Sequence, residues 1–120
     1  MKEEVERWLN KAEDDLKKDE DNFNLKNYDL TSFLCQQSIE KALKALLIEK
    51  TGKFPKIHDL IKLGKILNLD ENLLKECELL NTVYIESRYP GISEDKYTKE
   101  ESQKDIRTSK KILKWIKKKI

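Results

Sequence analysis

Three short stretches carry the side chains whose types and spacing could do chemistry. Gln36-Gln37-Ser38-Ile39-Glu40-Lys41-Ala42-Leu43-Lys44 sets amides, a carboxylate and two ammonium groups along one segment. His58-Asp59-Leu60 holds the only histidine, and Arg88-Tyr89-Pro90 pairs a guanidinium with a phenol and a chain-breaking proline. An imidazole is the usual proton carrier near neutral pH. An arginine fork binds phosphate in a bidentate manner that lysine cannot reproduce. Amides both donate and accept at a tight contact. Gln37, Glu40, Lys41 and Lys44 recur in steps of three and four, so a helix places them on one stripe.

Each group also has a plainer reading. Glu40 and Lys44 are i,i+4 partners, a surface pair worth only ~0.2–0.5 kcal/mol, and a solvated face is the default for that spacing. His58 can cap or pack against a turn. Arg88 can anchor the fourth helix to Glu40 as a buried ion pair. Cys35 and Cys77 lack CxxC spacing, which makes neither a zinc site nor a disulfide framework; they read as two buried thiols in a reducing cytoplasm. A metal site would have to be built from carboxylates. No glycine-rich phosphate loop, Ser-His-Asp set, Walker, zincin or kinase signature is present, and no cofactor is implied.

The elements that must hold these groups are helical. Charged residues make up 40% of the 120-residue chain, and with only three glycines and two prolines there is little turn punctuation. That length suits one domain with a single core. The net charge of +2 neither demands nor excludes an anionic partner. The acidic, amphipathic N-terminus is unlike a signal peptide, and no apolar run approaches the ~20 residues of a spanning helix, so a soluble, cytoplasmic protein without membrane attachment is expected.

The spacing predicts a first helix from about Lys2 to Asp19, with Val5, Trp8, Leu9, Ala12 and Leu16 on one face and Trp8 in the core. Asp21, Asn22 and Asn24 weaken its continuation. A second helix begins near Tyr28, with Asn27 or Asp29 as cap, and stops at Thr51-Gly52. Ile57, Leu60, Ile61, Gly64 and Leu67 form a short third helix. Asp70 caps a fourth, striped by Leu73, Cys77, Leu80 and Tyr84 and broken at Tyr89-Pro90. Thr98 and Glu101 form a capping box for a fifth, which ends in six lysines around Trp115. Those lysines offset the helix dipole at its C-terminus, and could also meet phosphates. Leu43, Ala45, Leu46, Leu47 and Ile48 run nearly all round the second helix, which predicts a two-fold dimer to cover the surplus. The result is an all-α antiparallel bundle of about five helices.

The three stretches together resemble the HEPN domain family of small prokaryotic helical proteins, over Trp8 to Trp115. The resemblance implies a nucleic-acid or nucleotide-linked role, a homodimer, and often a small nucleotidyltransferase partner in a toxin–antitoxin-type pair. It places Gln36, Gln37, Glu40, Lys41, Lys44, His58, Arg88 and Tyr89 as ligand- or partner-binding residues. Tyr89 and Tyr97 become acceptors if the partner modifies a tyrosine. Ribonuclease members carry an arginine followed four to six residues later by a histidine. Here Arg88 is followed at that distance by Ile92, Ser93 and Glu94, and Arg107 by Lys111, Ile112 and Leu113. A 2′-hydroxyl attack needs a proton acceptor. The expectation is therefore a binding module rather than a self-sufficient enzyme. The alternatives are a divergent RNA-cleaving toxin using Arg88 with another acceptor such as His58, and a purely structural homodimer.

Overall fold

A computed structural model describes residues 2–53, 55–86 and 97–120, and the side chains of all of these except 82–86. The described residues form α1 (Lys2–Asn24), α2 (Tyr28–Thr51), α3 (Leu60–Ile66), α4 (Glu71–Glu86) and α5 (Lys99–Lys119), with no strand among them. This is the expected five-helix antiparallel bundle.

Helix ends follow the sequence closely. Gly52 takes φ 83° and its N–H donates to Ile48 O at 2.8 Å. Asp70 Oδ1 accepts from Leu73 N at 2.9 Å, and Thr98 Oγ1 from Glu101 N at 3.2 Å. α1 departs from expectation by running past Asp19 to Asn24. The Asn22 side chain donates to Lys18 O at 2.9 Å rather than breaking the helix. The helix closes in a Schellman motif, with Asn27 N to Asn22 O at 2.9 Å and Lys26 N to Phe23 O at 3.0 Å. That motif forces Lys26 to φ 65°, a left-handed conformation that costs a lysine about 1–2 kcal/mol. Lys26→Gly is therefore expected to raise stability by about 1 kcal/mol, read as a higher midpoint in urea denaturation.

α2 is the hub of the bundle. Cys35, Ile39, Ala42, Leu43, Leu46 and Leu47 enter the main core with Ala12 and Leu16 of α1, Leu60 and Leu63 of α3, Leu73, Cys77 and Leu80 of α4, and Ile106, Ile112, Leu113 and Ile116 of α5. Ala45 and Ile48 face the other way, joining Val5 in a smaller cluster under Trp8 and Leu9. A helix that is apolar nearly all round is thus covered within one chain. The apolar surplus that suggests a dimer is already buried, because α1 and the other helices take opposite sides of α2. Trp8 is likewise not central: it is only partly buried, at the edge of the smaller cluster. α3 approaches α4 closely because Gly64 has no side chain; a Cβ there would stand 2.8 Å from Leu74 Cδ2.

Candidate functional site

The polar stripe of α2 is not a solvated face. Glu40 and Lys44 are each about 6% exposed at the side chain, and Lys44 Nζ lies 3.1 Å from Glu40 Oε2. The same oxygen accepts from His58 Nδ1 at 3.0 Å. A carboxylate can only accept, so in the contact of an ionised Glu40 with this ring the proton sits on Nδ1. Glu40 Oε1 is buried with no hydrogen-bond partner among the described residues. Gln36, fully buried, donates from Nε2 to the His58 carbonyl at 3.4 Å. Gln37 donates to Gln36 Oε1 at 2.7 Å. Next to Glu40 on α2, Lys41 pairs with Asp15 of α1. Lys44 also stands over the Trp8 ring, 5.8 Å from its centre.

Five of the eight expected site residues, Gln36, Gln37, Glu40, Lys44 and His58, are therefore joined in one network across α2 and the loop before α3, and Lys41 pairs separately beside it with Asp15 of α1. Gln36, Glu40 and Lys44 form its buried floor. His58, whose side chain is 59% exposed, and the partly exposed Gln37 form its rim, with Lys41 alongside. Arg88 and Tyr89 lie outside the described residues, as does the pairing of Arg88 with Glu40. Tyr97 is described and is 8% exposed.

The local sequence explains the placement. Asp59 caps α3, its Oδ1 accepting from Ile61 N at 2.9 Å and Lys62 N at 3.2 Å. The Leu60 N–H meets Asn81 Oδ1 at 2.8 Å, tying the same turn to α4. His58 is thus held by a capped helix start on one side and Glu40 on the other. Sequence reasoning missed Asp15, Asp59 as a cap, and Asn81. Asp15 was detectable: it sits three residues after Ala12, on the apolar stripe of α1, where an aspartate needs a partner.

A second polar cluster lies inside the bundle where α1, α2 and α5 meet. Asp19 is completely buried, with neither carboxyl oxygen in a conventional hydrogen bond. Burial pushes its pKa up to about 8, reinforced by Asp15, Glu20 and Asp105; only the weak thiol donor of Cys35 opposes this. Asp105 is raised to about 6, again by burial, with Glu101 adding to it and Ser32 and Lys104 opposing. Burial also drives the Cys35 thiol upward and Cys77 up to about 12, so both thiols stay protonated and unreactive. Among the described residues no group of three or more metal-ligating side chains converges, and no helix is long and apolar enough to cross a membrane. Three of the tail lysines are matched by acids: Lys110 by Glu20, Lys111 by Glu76 and Lys117 by Glu13.

The HEPN domain family model matches residues 5–120. The chain belongs to the HEPN domain family. Two crystal structures share the fold of this HEPN domain. TT1696 from Thermus thermophilus superposes with a TM-score of 0.87 at 27% identity, covering 97% of this chain and 98% of that one. ST0689, described as an archaeal HEPN homologue, superposes with a TM-score of 0.82 at 31% identity over 94% of each chain. No curated protein matches the chain in sequence.

Proposed function

We propose that this HEPN protein is a cytoplasmic binding module that acts as a homodimer with a small nucleotidyltransferase, in a toxin–antitoxin-type pair, and that it takes nucleotide or RNA at the α2–His58 site. The observation that carries the ligand part of this reading is the network centred on Glu40; the dimer and the partner rest on membership of the HEPN family. Within that network the charge of Lys44 is committed to Glu40, and beside it that of Lys41 to Asp15. Polar contacts to a ligand then fall to Gln37, His58 and the outer edge of Lys41, with Lys44 as a positioning residue. Arg88 adds an anion contact in this reading, and Tyr89 is the acceptor preferred over the buried Tyr97. Light scattering at micromolar concentration should give twice the 14.2 kDa chain mass; a monomer mass removes the dimer. Titration with ATP or a short single-stranded RNA should show saturable binding that weakens several-fold in His58→Ala, and absence of binding removes the ligand role.

One contact favours a second reading. A carboxylate on Nδ1 is the arrangement that orients a histidine as a general base, so Glu40 and His58 would let the chain cleave RNA itself. Loss of an intrinsic RNase activity in a folded His58→Gln variant with an unchanged melt would support it; intact RNA after incubation with wild type would exclude it.

A further inference from the structure

We infer that the groove between α1 and α5 is a track for the phosphate backbone of a single-stranded RNA, held by Lys110, Lys114, Lys117 and Lys118. This rests on the ligand class proposed above and gives it a second surface, on α5 rather than on α2. The groove has a volume of about 380 Å³; those four lysines line it with Leu16 and Leu113, and no acidic side chain does. Both leucines are buried, so its walls are ammonium groups and their aliphatic stems.

Lys117, Lys118 and Lys119 in the last turn offset the helix dipole. That effect fades within one turn of the end, which leaves Lys110 and Lys114 unexplained. Lys110 and Lys117 pair with Glu20 and Glu13 of α1, but these side chains are about half exposed, and such pairs contribute little. A phosphate can take over an amine held so loosely. Lys114 and Lys118 are exposed, and neither forms a salt bridge among the described residues. With two glutamates against four lysines, the groove keeps a surplus of positive charge. Lys110, Lys114 and Lys118 are successive i,i+4 neighbours and form one row. The row spans about 12 Å of α5, which follows several phosphates of a strand and gives one isolated phosphate too few partners. An anionic membrane is the other polyanion such a row could meet. An interfacial helix needs an exposed apolar face to insert, whereas Ile106, Ile112, Leu113 and Ile116 of α5 are all buried in the bundle. The row offers charge without an insertion face, which fits a nucleic-acid backbone.

The test is fluorescence anisotropy of a labelled single-stranded RNA, titrated at several salt concentrations with wild type, Lys114→Gln/Lys118→Gln and Lys62→Gln/Lys65→Gln, each checked for helical circular dichroism. The last variant removes the same charge from α3, which packs against neither α1 nor α5. Lys114→Gln/Lys118→Gln is expected to weaken binding several-fold at low salt and to reduce the slope of log K against log salt by about 1.4, or about 0.7 per lost phosphate contact. The α3 variant should leave the slope close to that of wild type. If wild type binds RNA and Lys114→Gln/Lys118→Gln keeps its affinity and slope, the groove assignment is wrong while the RNA reading stands. An equal loss in the α3 variant also overturns it, since net charge alone is then responsible. Wild type that binds AMP but no RNA overturns the groove and keeps the nucleotide reading. Binding to phosphatidylserine vesicles but not to RNA assigns the row to a membrane and overturns the proposal.

Discussion

Asp19→Asn is expected to stabilise the folded chain at about pH 7 by ~2–4 kcal/mol. In the wild type the fold holds Asp19 protonated to about pH 8, whereas the unfolded chain ionises near the ordinary 3.8. Between those values the native state carries a proton that the unfolded state has released. Stability is therefore full below about pH 4 and falls progressively as the pH rises toward about 8. Asp105, raised to about 6, contributes in the same sense over a narrower window. Asparagine keeps the shape and stays neutral in both states, so it removes the penalty and flattens the profile, with no gain at about pH 4. Urea denaturation of both proteins at about pH 4, 6 and 8 checks this. An Asn variant less stable than wild type at about pH 8 would mean that Asp19 is ionised in the bundle and stabilised by a partner.

The opposite sign is expected at Glu40. Glu40→Ala should destabilise the fold by about 3–5 kcal/mol, because it removes the buried carboxylate that the Lys44 ammonium and the His58 ring share. The plain surface-pair reading of the same two residues would give under ~0.5 kcal/mol, so the measurement separates the two by an order of magnitude. Glu40→Leu/Lys44→Met, which fills the volume without charge, should recover most of the loss. A double-mutant cycle in urea gives the coupling directly. A small loss in Glu40→Ala would place the pair in solvent.

Residues with a local role were legible in the sequence. Gly52, Asp70 and Thr98 end or start helices through their own backbone or side chain, and their types announce it. Residues whose role depends on which helix faces them were not. The α2 stripe reads as solvated because Gln37, Glu40, Lys41 and Lys44 are polar, yet Asp15, Trp8 and His58 come from elsewhere in the chain to cover it. The breadth of apolar surface on α2 suggests a partner chain, but α1 and α5 of the same chain supply the cover. Trp8 falls on the apolar stripe of α1, but it lies close to the N-terminal end, at the edge of the smaller cluster and under Lys44 rather than in the main core. Lys26 shows the reverse limit: nothing in a lysine announces a left-handed turn, and Asn22 and Asn24 point to an earlier stop.

The proposed ligand role at the α1–α2 face is tested most directly by proton–nitrogen and proton–carbon NMR during titration with AMP. His58 is the only histidine and Trp8 one of two tryptophans, so each ring gives a signal that can be assigned by single substitution. The ring signals of His58 and Trp8 are expected to move together along one saturating curve, while the indole of Trp115, which packs against the main core, stays in place. Unmoved His58 and Trp8 signals at millimolar AMP and at millimolar oligoadenylate, in a protein whose spectrum shows it folded, would contradict that role.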